Sequence, residues 1–243
     1  MPTLDPLPSV DDLFDYRGTA GTAEGPPLWL PHHQGDVFQN VEISGFTYDA
    51  VEPGLAMLFL HPCTMRRGAV LKDAVTMVRV SRLTPKVRAE PEFWTTRFAE
   101  MPLPDLRGTG QNTHVGMFLE IGTVQSQELH RSKRVATLSL QGRTIMQQRI
   151  INHFTRLVPT LDELQQATRA VETEIELQAD WVQGACKQTG STTDEAVHEA
   201  EAAFDAYMST TVEDISRRRA LQDSERGSGV VMETQREIRR RFE

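Results

Sequence analysis

The sequence of 243 residues predicts an α+β fold, with a small, mostly antiparallel β-barrel followed by a helical hairpin and a basic tail. Short β-type runs, separated by segments with glycine and proline, recur between Gly35 and Leu140. After Ser139 the apolar residues are spaced by three and four, as on one face of a helix. Two capping-box sequences then follow, at Thr160 and at Thr192.

The length is sufficient for one or two domains with a buried core. Turn residues and the change of hydrophobic period suggest four parts along the chain. We expect an extended proline-rich arm at 1–34, a barrel domain with a terminal helix at 35–158, a helical hairpin at 159–222 and a basic tail at 223–243.

The arm contains six prolines, which favour extended chain over regular structure. A short helix from Val10 to Tyr16 is expected after Ser9, whose hydroxyl can accept a hydrogen bond from an amide of the first turn. Three apolar side chains could anchor the arm to the body of the protein: Phe14, Leu28 and Trp29.

Four or five strands are predicted in the barrel domain. Gly35–Ile43 alternates between two faces, as a half-buried strand does. Leu55–Leu60 is apolar without a break, which indicates a strand buried on both faces. Ala74–Ser81 alternates again, and Val115–Val124 and Val135–Leu140 supply the remaining strands.

An irregular segment at 84–113 separates the third and fourth of these strands, because prolines and glycines recur along it. A short aromatic helix through Phe93, Trp94 and Phe98 is expected within it. We interpret these rings as a lid packed over one end of the barrel.

Three helices are predicted after the strands. Ser139 caps the first, which ends before Pro159. The capping box Thr160–Glu163 opens the second, which should run to about Val182 and break at the glycines that follow. The box Thr192–Glu195 opens the third, and the short connection predicts an antiparallel hairpin.

The cysteine and histidine residues give no metal-binding pattern. Cys63 and Cys186 are far apart in sequence, which favours two reduced thiols in a cytoplasmic protein over a disulfide. His32 and His33 are adjacent without a third ligand nearby, so we expect a surface loop there instead of a metal site. No signal peptide or membrane span is recognised.

The net charge of −8 is unevenly distributed. Residues 61–154 carry 14 Lys and Arg against 7 Asp and Glu, and they lie between acidic flanks. This pattern indicates either electrostatic matching within the protein or a patch for a polyanion. Two arginine triplets, at 217–219 and 239–241, either contact phosphate or form helix ends that face solvent or a partner. No cofactor is predicted, because nucleotide-binding and common hydrolase motifs are missing from the sequence.

The densest cluster of reactive and charged side chains follows the apolar strand directly: His61, Cys63, Thr64, Arg66 and Arg67. A rigid strand that delivers polar groups into a loop is a common way to build a site. Cys63 could be a nucleophile favoured by the neighbouring positive charges. The phosphatase spacing is absent, however, and we expect a partly buried structural cysteine.

The order of the first three strands resembles the PemK/MazF-like family. The likeness covers Gly35–Asp36–Val37–Phe38 opening a strand, the strand Leu55–Leu60, and Ala74–Val80 ending in Ser81, with residues 135–157 as a further match. The resemblance implies an SH3-like barrel, and the family's best-known members are toxins that cut RNA. It also implies a catalytic arginine in the loop after the first strand and a Ser or Thr at the position of Ser81.

The loop that should hold the family's arginine, Ser44–Gly54, has no basic residue. Because nothing there would stabilise charge on a cleaved phosphate, our first hypothesis is a non-catalytic binding or assembly module. Its barrel loop would engage nucleic acid or a protein, and its helices would pair with another protein or a second copy. The setting would be a toxin–antitoxin or phage-defence system. Alternatives are an endoribonuclease with relocated arginines and a phage structural or accessory protein.

The candidate residues follow from these hypotheses, and no metal ligand is among them. If the protein is an enzyme, the catalytic candidates are His61, Arg66, Arg67 and Ser81. The candidate contacts to nucleic acid or a partner are Arg66, Arg67, Arg82, Arg217, Arg218, Arg219, Arg239, Arg240 and Arg241.

Overall fold

The computed structural model describes residues 4–18, 25–47, 54–83, 94–109 and 113–243. Over these residues the chain is α+β, as predicted. An antiparallel sheet curls into a half-barrel, and helices follow towards the C-terminus. In the described part of the chain, no helix is both long enough and apolar enough to cross a membrane.

The chain folds as two compact units whose segments alternate along the sequence. The first contains the half-barrel sheet, and the second contains most of the C-terminal helical residues. The first unit comprises residues 1–26, 33–65 and 73–166, and the second comprises 27–32, 66–72 and 167–243.

The described residues form eleven strands, of which seven make the half-barrel sheet and two pairs make small ribbons. The strands are β1 Phe14–Arg17, β2 Val37–Gln39, β3 Leu55–Leu58, β4 Arg66–Arg67, β5 Val70–Leu71, β6 Ala74–Arg82, β7 Glu100–Pro104, β8 Thr113–Gln125, β9 Arg134–Leu138, β10 Thr211–Val212 and β11 Ile215–Ser216. The sheet order is β1-β9-β2-β3-β6-β8-β7, with every neighbouring pair antiparallel.

The buried strand at the centre of the prediction is confirmed. Leu55–Leu58 forms β3, all four of its residues are buried, and it pairs with β2 on one side and β6 on the other. The next residue, Phe59, is also buried and still donates its backbone N–H to Thr76 O. Unbroken apolar sequence therefore marks a strand covered on both faces.

The strand predicted at Gly35–Ile43 is shorter than expected. Only Val37–Gln39 pairs as β2, because Asn40 adopts a left-handed conformation with φ of 55° and leaves the ladder. Just before β2, the carboxylate of Asp36 accepts a 2.9 Å ion-pair hydrogen bond from Arg134, and both side chains are fully buried. The other predicted strands are present as β6, β8 and β9.

The proline-rich arm contains a short helix and a strand. Ser9 caps a helix, α1, that spans Val10–Leu13. The side chain of Ser9 accepts a hydrogen bond from Asp12 N. The helix does not reach Tyr16 as predicted, because Phe14–Arg17 pairs with β9 as an edge strand. The Phe14 side chain lies in the core of the first unit, as expected of an anchor.

The adjacent histidines are buried, so the prediction of a surface loop at His32 and His33 is wrong. The backbone N–H of His33 donates to Asp36 Oδ2 at 2.9 Å, which fixes the turn that leads into β2. Within the second unit, Trp29 packs against Val182 and Cys186, as its anchoring role requires.

Six further α-helices follow α1 in the described part of the chain, and the sequence predicted the start of the first two long ones correctly. Ser139 accepts a hydrogen bond from Gly142 N, and Thr160 and Glu163 bond each other's backbone N–H groups reciprocally. The helices are α2 Pro62–Met65, α3 Leu140–Thr155, α4 Leu161–Thr189, α5 Asp194–Ser209, α6 Arg217–Leu221 and α7 Gly227–Phe242.

Two helix boundaries differ from the prediction. Helix α4 continues through Gly184, where the ring of Phe242 fills the space beside the missing side chain, and ends before Gly190, whose φ is +66°. Helix α5 is capped by Thr193 and not by Thr192, because the Thr193 hydroxyl accepts from Ala196 N. The residues expected to form a basic tail are helical in α7.

Each unit has its own apolar core. In the first, Ile145 and Met146 of α3 pack against sheet residues that include Val37 and Met57. In the second, the rings of Phe204, Tyr207 and Phe242 surround Trp181 with centroid distances of 5.7, 5.1 and 5.5 Å.

The aromatic lid is described in part, since Phe93 lies outside the described residues. Trp94 is buried, and the guanidinium of Arg149 donates to the backbone carbonyls of Trp94 and Arg97, each at 2.9 Å. Burial lowers the pKa of Arg149 to about 10, and the charge of Glu100 opposes the shift. The buried arginine thus holds this segment to α3 through its main chain.

Candidate functional site

The turn that follows β3 is a single helical turn whose geometry comes from its sequence. Pro62 occupies the first helical position, where its missing N–H costs nothing. The carbonyl of His61 accepts from Thr64 N at 2.8 Å and from Met65 N at 3.2 Å. Because Pro62 and Met65 are buried, the intervening Cys63 and Thr64 face solvent.

His61 and Cys63 form a pair at this turn. The imidazole Nδ1 of His61 lies 3.0 Å from Cys63 Sγ and also accepts the backbone N–H of Cys63 at 3.4 Å. In the tautomer that carries the proton on Nε2, Nδ1 of His61 accepts both the backbone N–H and the thiol proton of Cys63.

Cys63 is exposed, and the expectation of a partly buried structural cysteine is wrong. The helical turn directs Pro62 and Met65 inward, which leaves Cys63 on the opposite side. Cys186 is buried in the second unit, and neither thiol forms a disulfide.

Arg66 belongs to the second unit, and its side chain is engaged there. The residue is buried, and its Nη2 donates to Ala69 O at 2.5 Å and to Gln178 Oε1 on α4. Gln178 in turn donates to Ala69 O and to the buried carboxylate of Glu201. These bonds fix the small β4–β5 hairpin against the helices, and Arg67, on the same hairpin, is exposed.

The first arginine triplet is largely paired within the second unit. Arg217 donates to Glu233 at 2.7 Å and its Cζ lies 4.4 Å from the ring centroid of Tyr207. Arg218 donates to Glu174 at 2.7 Å and to Asp205 at 2.8 Å.

Burial lowers the pKa of Arg218, but the hydrogen bond and charge of Glu174, followed by those of Asp205, raise it overall. The guanidinium of Arg218 is therefore held in its charged form by two carboxylates. Arg219, the last member of the triplet, is exposed.

The second triplet lies at the end of α7. Arg240 and Arg241 both donate to Glu237, at 2.6 and 2.5 Å, and these bonds lower the pKa of Glu237 to about 2. The guanidinium of Arg241 also lies 4.8 Å from the ring centroid of Trp181. Arg239 is exposed.

Ser81 and Arg82 close β6, where they pair with Val115 and His114. Ser81 is half-buried, and its hydroxyl has no hydrogen-bond partner among the described residues. Arg82 is exposed. The two candidates therefore sit at the end of a strand, as predicted, in a different unit from Arg66 and Arg67.

An exposed apolar surface lies at the C-terminal end of α3, and we call its residues, 153–157, the Phe154 patch. Phe154 and Leu157 are 56% and 67% exposed. The Phe154 ring contacts His153 at 4.7 Å and the buried Phe59 at 6.5 Å between centroids. The patch is thus built onto the core of the first unit.

Charge on the Phe154 patch comes from Arg156. This residue ends α3 in a left-handed conformation, is exposed, and makes no ion pair with any described residue. Burial and, secondarily, the positive charge of Arg156 lower the pKa of His153. The imidazole is therefore neutral at pH 7, and Arg156 is the cation of the patch.

Comparison with known proteins adds no further constraint. No family model, curated protein or solved structure matches the chain. Among the residues that the structure describes, no group of three or more His, Cys, Asp or Glu could hold a metal ion.

Proposed function

We propose that this chain is a non-catalytic binding module that contacts a protein partner through the Phe154 patch. The observation that carries the proposal is the exposure of Phe154 and Leu157, at 56% and 67%, on a helix end packed against the core. Aromatic residues with fixed backing are the usual anchors of protein interfaces. Arg156 beside them favours a partner that presents an apolar side chain next to a carboxylate.

The state of the candidate arginines favours protein over nucleic acid as the partner. Arg66 is buried, and four of the six triplet arginines are bonded to carboxylates of the same chain. A phosphate of a nucleic acid would have to displace those carboxylates before it could pair with the arginines and gain affinity from the release of its counterions. The net charge of −8 opposes general attraction to polyanions as well.

The proposal includes an SH3-like identity for the half-barrel and a hairpin formed by α4 and α5. Adjacent antiparallel pairing of β2, β3 and β6 supports the first, since these strands carry the resemblance to PemK/MazF-like proteins. The Gln178–Glu201 hydrogen bond and the Trp181–Phe204 ring contact support the second.

The contacts between α4 and α5 also bear on which surface of the protein binds the partner. Apolar side chains of α4 and α5 are used within the second unit, so we place the main partner contact on the Phe154 patch instead of on the helices. A toxin–antitoxin or phage-defence system is the setting in which we propose that this contact operates. The hydrogen bonds of Arg66 weigh against an endoribonuclease with relocated arginines.

The test is capture of partners by the full chain from an extract of the native host, in nuclease-treated and untreated arms. A captured protein is then purified, and its affinity is measured for the wild type, Phe154→Ser and Arg156→Glu. The matched control is Leu119→Ser, because Leu119 is 71% exposed in the same unit but outside the patch.

We expect Phe154→Ser to weaken binding at least about tenfold, the effect of losing an interface anchor worth more than ~1.4 kcal/mol. Arg156→Glu should weaken it as well, whereas Leu119→Ser should leave it unchanged. Equal affinities for all four proteins would refute the proposal. So would capture that is lost on nuclease treatment, which would point to nucleic acid.

A further inference from the structure

We infer that Cys63 is a thiol-modification site, at which His61 accepts the thiol proton and the sulfur reacts with hydrogen peroxide. This site is separate from the protein-binding role proposed above. It rests on the pairing of two side chains at one turn, with Nδ1 of His61 3.0 Å from Cys63 Sγ.

The orientation of the imidazole is fixed by backbone contacts. Nδ1 accepts the N–H of Cys63 at 3.4 Å, which keeps its lone pair directed towards the start of α2 and the thiol. The carbonyl of the same histidine accepts from Thr64 N and Met65 N, so the residue is tied to the turn at both ends. A base positioned in this way can accept the thiol proton as the sulfur reacts, and the thiolate is the nucleophilic form of cysteine.

Exposure distinguishes the two cysteines of the chain. Cys63 is exposed between the buried Pro62 and Met65, so a small oxidant in solution reaches its sulfur. Cys186 is only 2% exposed, which protects its thiol in the folded protein. The chain therefore contains its own unreactive control.

Metal binding is the other use of a Cys–His pair, and the surroundings do not favour it. Among the described residues no third His, Cys, Asp or Glu joins His61 and Cys63 in a group that could hold a metal ion. A zinc site needs at least three protein ligands. Reaction of the thiol with an oxidant requires only the pair.

The reaction balances with hydrogen peroxide as the oxidant. The proton of the Cys63 thiol moves to Nδ1 of His61, and the thiolate sulfur attacks one peroxide oxygen. The S–O bond forms as the O–O bond breaks, and the leaving hydroxide takes the proton from the imidazolium to give water. Sulfur is oxidised to sulfenic acid and peroxide is reduced. Because Cys186 is buried, the sulfenic acid would next react with a thiol from solution.

The experiment treats the full, reduced chain with hydrogen peroxide in the presence of dimedone, which traps sulfenic acid, and maps the adduct by mass spectrometry. The variants are His61→Gln and Cys63→Ser, with His198→Gln as the matched control for removing an imidazole, because His198 is exposed and lies outside the Phe154 patch. Parallel reactions with iodoacetamide compare the rate at Cys63 in the folded chain with its rate in the urea-unfolded chain at the same pH.

We expect the adduct on Cys63 and not on Cys186, and a fall of about tenfold in the Cys63 rate for His61→Gln, because the thiolate fraction sets reactivity. His198→Gln should react like the wild type. Hydrogen exchange of peptides that cover Arg134–Leu138 shows that the first unit of a variant, which contains His61 and Cys63, is folded. The inference is overturned if Cys63 reacts no faster with iodoacetamide in the folded than in the unfolded chain, or if His61→Gln reacts at the wild-type rate.

Discussion

The ion pair between Asp36 and Arg134 provides a quantitative test of the first unit. The two side chains are fully buried and 2.9 Å apart, between the turn before β2 and the start of β9. At this separation the attraction is about 6 kcal/mol for an effective dielectric constant of about 20. Each charge also pays a desolvation cost of several kcal/mol, so the charges are stable in the core only together.

Replacing one partner leaves the other buried without the opposite charge of this ion pair. We therefore expect Asp36→Leu and Arg134→Met each to lower the free energy of unfolding of the first unit by about 3–5 kcal/mol. The double variant should lose much less than the sum of the single losses, because it removes both desolvation costs. Part of the Asp36→Leu loss comes from His33, whose backbone N–H donates to the same carboxylate.

The assay is urea unfolding followed by pulsed hydrogen exchange and mass spectrometry of peptides that cover Arg134–Leu138, which reports on the first unit directly. The control is Arg97→Gln, since Arg97 is 40% exposed and pairs with Glu100 at the surface at 3.1 Å. Exposed pairs contribute about 0–1 kcal/mol. A loss below about 1 kcal/mol for Asp36→Leu, or strict additivity in the double variant, would contradict this account.

Three further predictions concern the helices. Thr193→Ala should lower the free energy of unfolding by about 1 kcal/mol and Thr192→Ala by almost nothing, because only the first removes the cap of α5. Urea unfolding compares the two variants, and equal losses would contradict the assignment of the cap. Gly184→Ala should destabilise the second unit by about 1–3 kcal/mol, since its Cβ would lie 2.7 Å from the ring of Phe242; an unchanged melting temperature would show that the ring moves aside. The carboxylate of Glu237 should titrate with a pKa of about 2, measured by NMR. Its contribution to the free energy of unfolding is therefore present above pH 4.5 and is lost as the pH falls from about 4.5 to about 2. A pKa near 4.5 would show that its bonds to the arginines do not persist in solution.

Features that depend on neighbouring residues were predictable from the sequence. Ser139 and the pair Thr160 and Glu163 cap their helices as expected, because each bond joins groups within three residues of each other. The strand at Leu55–Leu58 was predictable because an uninterrupted apolar run indicates a strand that is buried on both faces. The position of the reactive turn followed from this strand.

Features that depend on distant residues were not predictable. Arg149 and Phe154 share the three-and-four spacing of α3, but their environments differ. The Arg149 side chain is buried and donates to carbonyls of residues 94–97, whereas Phe154 is 56% exposed. Cys63 was expected to be partly buried, since the sequence does not show that Pro62 and Met65 occupy the inward positions of the turn.

The sequence alone determined the α+β class, the central buried strand and the caps of α1, α3 and α4, because short-range hydrogen bonds and hydrophobic period decide them. Only the tertiary structure decided that Arg66 is bonded to Gln178, more than 100 residues away, and that Phe154 and Cys63 face solvent. The physical reason is that burial is a property of the assembled core: a side chain's partners come from segments that local sequence does not identify.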